Sequence, residues 1–226
     1  MLSRIFPQID ALRAQLAGLG TDFSLLFLRL IMAYEFGMAG FNKLGGENWF
    51  TEIMHKLPFP LNYAPADISW VLASYTEVIA AGLLVVGLFT RAAAYGLVVV
   101  TAVAIVSVHW PESYGSLSEL WQGYAIRNEG MGNFKMPLLF MLMLLPIVFQ
   151  GPGRISLDRL LVTLTPLRAR VTRGELGLAD VGIALLALGL PLAQVMPLPG
   201  WLIFVAGAIC AGLAWRQSRT ESITRP

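Results

Sequence analysis

The stretch from Ile68 to Trp110, ISWVLASYTEVIAAGLLVVGLFTRAAAYGLVVVTAVAIVSVHW, decides the fold. It holds two apolar runs, about Ile68–Phe89 and Ala92–Trp110, with only Thr90 and Arg91 between them. A helix needs about 20 apolar residues to cross a hydrocarbon layer roughly 30 Å thick, and both runs are close to that length. Neither run alternates as a strand would, and in lipid every backbone polar group must be satisfied within a helix or a closed barrel. The stretch therefore predicts a tight antiparallel pair of transmembrane helices.

Working outward, the same pattern recurs. A first span is predicted at about Ser24–Phe41, a fourth within about Met131–Gln150, and two more at about Leu178–Val195 and Gly200–Trp215, joined by the turn Met196–Pro199. The whole chain has 226 residues, 56% of them hydrophobic and 13% charged, and a mean hydropathy of +0.66. That balance is too apolar for a soluble globule. Ahead of the first span, Ile5, Ile9, Leu12, Leu16 and Leu19 recur at helical spacing, which predicts an amphipathic interfacial helix over residues 1–22. These first residues lack the apolar core of a cleavable signal peptide. The expected organisation is an all-α membrane protein: the amphipathic segment 1–22, a four-helix transmembrane bundle over 23–162, a basic linker over 163–177, a C-terminal transmembrane hairpin over 178–216 and a tail over 217–226.

Charge sets the expected orientation. With the N-terminus inside, the inner segments carry Arg4, Arg13, Arg91, Arg154, Arg159, Arg168, Arg170, Arg173, Arg216, Arg219 and Arg225, whereas the outer loops carry Lys43, Lys56, Arg127 and Lys135. This asymmetry satisfies the positive-inside rule and places both termini in the cytoplasm and both long loops outside. The net charge of +2 and the scattered basic residues do not point to nucleic acid as a partner. A single cysteine, Cys210, cannot form an intrachain disulfide. Two histidines and one cysteine exclude a zinc-finger-like site. In the last hairpin, Gly207 with Ala211 and Ala208 with Gly212 are spaced to let helix backbones approach closely, so this part reads as a structural or oligomer-forming addition.

Few residues within the spans resist a purely structural reading. Glu35 and Glu77 both fall near mid-membrane, where an ionisable group costs a few kcal/mol unless it faces a partner or a polar interior. Glu35, Met38 and Asn42 share one helical face, as do Trp70, Ser74 and Glu77 on the next span. If the two faces meet, they line one polar pocket beneath the outer loops, with His109 and Trp110 at its rim. Two carboxyls there would share a proton. His109 could relay protons, hydrogen-bond a quinone carbonyl or bind copper. The alternative is that Glu35 or Glu77 pairs with Arg29, or bonds to Tyr34, Asn42 or Ser74, and only holds the helices together. Met38, Met131, Met136, Met141 and Met143 read first as packing, although thioethers also bind Cu(I). Arg91 and Arg154 mark the inner interface. Lys135, at the start of the fourth span, can snorkel outward. No haem or flavin motif is present.

Several pieces in order resemble the DoxX family: RLIMAYEFGMAGFNK (Arg29–Lys43), LPFP (Leu57–Pro60), EVIAAGLLVVGLFTR (Glu77–Arg91), VHW (Val108–Trp110) and GPGRISLD (Gly151–Asp158). The resemblance covers about Leu25–Leu161. It implies a four-helix membrane bundle in a bacterial cytoplasmic membrane, associated with redox processes: subunits related to thiosulfate:quinone oxidoreductase, proteins of quinone or catechol stress, and partners in oxidant defence. The LPFP and VHW pieces resemble a subgroup linked to maturation of copper-binding peptides. The family positions carried over are Arg29, Lys43, Glu77, Arg91 and His109. Glu35 is not clearly part of this pattern. Quinone, with copper as a further option, is the expected ligand, and the reading of the helix faces sets Glu77, His109 and Glu35 against it, with Met38, Asn42, Lys43, Trp70, Ser74 and Trp110 lining the pocket. His109 is the implied metal ligand, and Arg29, Arg91 and Arg154 are structural. A protein partner in the membrane or periplasm, and a homo-oligomer, are also expected. This chain departs from the pattern at the start of the fourth span, where Lys135 replaces a carboxylate often found in related sequences and Glu129 lies a turn and a half earlier.

Overall fold

A computed structural model of the chain describes residues 2–127, 129–164 and 177–224. Among the described residues the helices of eight residues or more are α1 Leu2–Gly45, α2 Ala66–Val86, α3 Thr90–Ala104, α4 Lys135–Gln150, α5 Leu157–Leu164, α6 Leu178–Val195 and α7 Pro197–Thr224. No strand occurs among the described residues. Among the described residues five stretches, Gly18–Gly45, Ala66–Val86, Thr90–His109, Leu178–Val195 and Pro197–Gln217, are long and apolar enough to cross a membrane.

One boundary differs from the sequence expectation. The first span is not set apart from an interfacial segment, because α1 runs without a break from Leu2 to Gly45. Gly18 and Gly20 stand where the apolar pattern changes, yet the helix continues through both. The fourth helix lies within the expected Met131–Gln150, from Lys135 to Gln150, and has 16 residues, about 24 Å at 1.5 Å per residue. Gly130 and Gly132 adopt φ +91° and +85°, which turns the chain just ahead of it. The arginines Arg168, Arg170 and Arg173 of the expected linker lie outside the described residues.

The chain divides into two compact units. One comprises Met1–Gly45, Ser74–Leu97 and Leu142–Ala169, and the other Gly46–Ala73, Val98–Met141 and Arg170–Pro226. The core of the first holds Leu25, Met32, Ala33, Phe36, Ala81 and Leu84. It is tied together by polar groups at the helix ends, described below.

In the second unit, α6 and α7 form the expected hairpin with Met196 between them. Pro197 opens α7, where a missing N–H costs nothing. A Cβ on Gly182 would lie 2.7 Å from Ala211 N, and one on Gly207 2.7 Å from Leu186 N. The small residues therefore bring the two backbones into contact. Elsewhere in this unit Trp49, Phe50 and Trp70 pack edge to face with centroids 5.0–5.8 Å apart. Asn48 Nδ2 donates to Asp67 Oδ1 at 2.7 Å and orders the start of this loop.

Lys56 and Glu112 join two loop segments at 2.9 Å. A hydrogen bond from Lys56, reinforced by its charge, holds the Glu112 carboxyl below the ordinary carboxylate range. Because the folded-state value is the lower one, the contact is fully present above the ordinary value and lost as pH falls through the lowered one. The carboxyl carbon NMR shift of Glu112 should titrate at higher pH in K56M than in the parent chain. Equal midpoints would show that the pair does not form.

Candidate functional site

Glu77 sits in the central turn of the 21-residue helix α2 and is 5% exposed. Opposite it, Lys43 extends from the last turn of α1. Lys43 Nζ lies 2.9 Å from Glu77 Oε1 and 2.7 Å from Oε2, so one ammonium bridges both carboxylate oxygens. The approach depends on Gly40, one turn before Lys43. A Cβ there would meet Val78 Cγ2 at 2.7 Å, and Glu77 Cβ and Ser74 O at 3.0 Å. With glycine the two helices close up and Lys43 need not stretch. Valine at position 40 should cost about 1–3 kcal/mol by overpacking. Thermal unfolding of G40V in detergent checks this, and an unchanged midpoint would mean the helices can separate freely.

A second set of contacts clamps helix ends in the same unit. Arg29 is 1% exposed, and it has no carboxylate contact among the described residues. Its Nε donates to Leu84 O (2.9 Å), Nη2 to Val85 O (3.1 Å), and Nη1 to Pro152 O (2.8 Å) and Ile155 O (2.7 Å). The first two are carbonyls of the last turn of α2, which has no intrahelical donor for them. Gly87 follows at φ +69°, and a Cβ there would run into the guanidinium at 2.5 Å and into Ser156 Cβ at 2.6 Å. The start of α3 is capped from a distance: Asp158 accepts from Phe89 N (2.8 Å) and Thr90 N (2.9 Å), while its own N–H donates to Gly87 O (2.8 Å). Arg91 closes the end of α4 by donating to Val148 O (3.1 Å) and Gln150 O (3.3 Å). Arg154 meets Asp22, Nε to Oδ2, at 3.5 Å.

In the other unit α3 continues into a wider, π-helical turn over Ile105–His109, a feature frequent at functional positions. His109 is half-buried. Its Nδ1 lies 2.7 Å from Asn133 Oδ1, and Asn133 N donates to His109 O at 3.0 Å. An amide oxygen only accepts, so the contact is made by a proton on Nδ1, and Nε2 is the ring nitrogen left outside it. Trp110 packs on Phe134 (5.3 Å) and Tyr114 (6.4 Å), and Lys135 Nζ stands 5.1 Å from the centroid of Tyr124.

The sequence comparisons bear on these same helices. The DoxX family model matches residues 24–110, which takes in Arg29, Lys43, Glu77, Arg91 and His109. A protein of Haemophilus influenzae is 37% identical over 155 residues, 69% of this chain and 94% of its own length. The chain belongs to the DoxX family. A second Haemophilus influenzae protein is 33% identical over 139 residues, 59% of this chain and 87% of its own length. Both relatives are described as uncharacterized. No solved structure matches the chain.

Among the residues expected to form a site in this DoxX chain, the structure brings together Lys43 and Glu77, with buried Ser74 one turn before Glu77 on α2. It does not turn the Glu35, Met38 and Asn42 face inward, since all three are exposed. The face of α1 that is buried runs through Arg29, Met32, Phe36 and Gly40, roughly a third of a turn away. Glu35 consequently has no hydrogen-bond or ion-pair partner among the described residues. Trp70 belongs to the loop-side aromatic cluster with Trp49 and Phe50. Sequence reasoning missed three contributors: Asn133, which fixes His109; Asp158, which caps α3; and Gly40, which admits Lys43. The glycine at helical spacing from Lys43 was the one available signal. The other two act across 24 and 68 residues of chain.

Proposed function

We propose that this DoxX-family chain is a subunit of a bacterial cytoplasmic membrane, with both termini inside, that binds a quinone or a comparable small apolar ligand at the Lys43–Glu77 pair and serves a redox partner. The observation that carries the reading is an ammonium from the last turn of α1 held, nearly buried, on a carboxylate in the central turn of the spanning helix α2. An ion pair costs more than a well-packed apolar pair at such a place, and ionisable groups within spans mark proton or ligand chemistry by default. The donor set fits a quinone. Lys43 has three N–H groups and directs two at Glu77, leaving one for a carbonyl oxygen. Its side chain is 19% exposed, which leaves the ammonium reachable.

Reduction of a quinone takes up two electrons and two protons. The electrons would come from a redox partner, since the chain carries no haem or flavin motif. Lys43 would donate a hydrogen bond to the carbonyl, and Glu77 would exchange the protons through Lys43. The test is photoaffinity labelling of the full chain in lipid nanodiscs with an azido-quinone. Labelled peptides should contain residues around Lys43 and Glu77, compete with unlabelled quinone and vanish in K43M/E77M, a neutral pair of similar volume. Labels scattered over lipid-facing surfaces, indifferent to competitor, would reject the reading.

A second reading rests on Glu35. An unpartnered carboxyl on the exposed face of a span is costly in lipid and calls for a donor from another chain. This favours a membrane partner or assembly role, including maturation of a copper-binding peptide. His109 Nε2 would be its contribution to a passing copper ion. Among the described residues no three His, Cys, Asp or Glu side chains cluster to hold a metal, so the remaining ligands would come from the peptide itself. Covalent capture at a photoreactive residue placed at position 35 separates this from the first reading: a single cross-linked protein species supports it, and lipid adducts alone reject it.

A further inference from the structure

The helix α5, LDRLLVTL from Leu157 to Leu164, has no role in the function proposed above. Eight residues span about 12 Å, too short to cross a membrane. Its pattern is nonetheless sharply two-sided. Leu157, Leu160, Leu161 and Leu164 recur at i, i+3, i+4 and i+7 and share one stripe, while Asp158, Arg159 and Thr163, with Val162 among them, occupy the opposite side. A stripe of that kind normally faces a core. Here it faces none among the described residues: the four leucines are 41–73% exposed, and no residue of α5 is buried.

The position of α5 says what covers it. Asp158, in its first turn, is bonded through both carboxylate oxygens and its own N–H to Gly87, Phe89 and Thr90. Those three residues form the turn between α2 and α3, two helices of membrane-spanning length. The start of α5 is thus pinned at the level where two spans leave the hydrocarbon. Phe89 in that turn and Ile155 just before α5 are also exposed apolar side chains, at 68% and 49%. Arg154 and Arg159 flank the helix start and are exposed, and the sequence continues to Arg168, Arg170 and Arg173. A short amphipathic helix fixed at the boundary, leucines on one side and Arg154 and Arg159 exposed at its start, meets the requirements for lying in a phospholipid interface.

We propose that α5 is an interfacial anchor, its leucine stripe inserted among the acyl chains and its arginines on the phosphates of anionic phospholipid. The Asp158 clamp transmits that anchoring to the α2–α3 turn, so the leaflet helps to hold the ends of both spans.

Site-directed nitroxide scanning of the full chain tests this. Single cysteines from 157 to 164, in a C210S background, are labelled and the protein is reconstituted in vesicles of phosphatidylcholine with phosphatidylglycerol. The ratio of oxygen to water-soluble nickel-complex accessibility should oscillate with a period of about 3.6 residues, high at 157, 160, 161 and 164 and low at 158, 159 and 163. In L160E/L164E the remaining labels should shift to high nickel accessibility, while labels on α2 keep their parent values and show that the spans still fold. In vesicles of phosphatidylcholine alone the labels at 160 and 161 should become more mobile, and R159Q should abolish the difference between the two lipids. Uniform nickel accessibility along α5 would overturn the proposal, as would dipolar broadening between labels of neighbouring copies, because the stripe would then be in water or against protein. Identical mobility in both lipids would overturn the assignment of anionic headgroups.

Discussion

Replacing Lys43 with methionine is expected to destabilise the chain by about 3–5 kcal/mol, the usual cost of stripping one member from a buried ion pair. Glu77 is 7% exposed at its side chain and, among the described residues, receives its side-chain hydrogen bonds from Lys43, so K43M leaves a carboxylate with neither counter-charge nor donor among them. E77M should do comparable damage by stranding the ammonium, somewhat less because the more exposed Lys43 side chain can bend away. The double variant K43M/E77M is the decisive one. Two apolar side chains of similar volume need no pairing, and such replacements are often neutral or stabilising. Unfolding in a fixed detergent, followed by loss of helical circular dichroism, should therefore show two weak single variants and a double variant close to the parent. A double variant as weak as the sum of the singles would mean the two residues do not interact. If instead K43M/E77M is stable but no longer takes an azido-quinone label, the pair is retained for ligand chemistry at no gain in stability.

The spans were legible from the sequence because a membrane asks for one simple property, a run of apolar residues of a given length, and the runs around Thr90–Arg91 and Met196 meet it without competition. Glu77 was legible for the complementary reason, as a carboxyl in the middle of such a run. Its partner was not. Taking the first span to end at Phe41 made Lys43 a loop residue, whereas α1 continues to Gly45 and turns Lys43 toward α2. The rotation of α1 was also open, since two stripes compete on it. One runs through Glu35, Met38 and Asn42, the other through Arg29, Met32, Phe36, Gly40 and Lys43. Both mix apolar and polar residues, so hydrophobicity alone does not choose. What chooses is Gly40, which gives the second stripe the closer approach to α2, and Arg29, whose donors need the carbonyls at the end of that helix. The GPGRISLD piece was visible as a motif but not as a cap, because its partners lie some 70 residues earlier. Only the folded chain brings them together.

Arg29 carries the other large expected effect. Lysine in its place keeps the charge but has three N–H donors against four carbonyls, Leu84 O, Val85 O, Pro152 O and Ile155 O. At least one buried carbonyl is then bare, which costs about 1–3 kcal/mol. R29M strands all four, and even at the low end of about 1 kcal/mol each the loss approaches the whole stability of a marginal domain, about 5 kcal/mol. The expected order is parent, then R29K, then R29M, with R29M failing to accumulate in the membrane unless grown cold. Because the guanidinium joins the end of α2 to the segment 152–155, its loss should loosen both together. Hydrogen exchange at Gly87 N, which donates to Leu83 O, and at Arg154 N, which donates to Asp22, should rise in parallel in R29K. Exchange that rises at one amide and not the other would show that Arg29 serves one helix end alone. An R29M chain that unfolds with the parent would mean that water already satisfies those carbonyls, and the guanidinium would then hold nothing that the solvent does not.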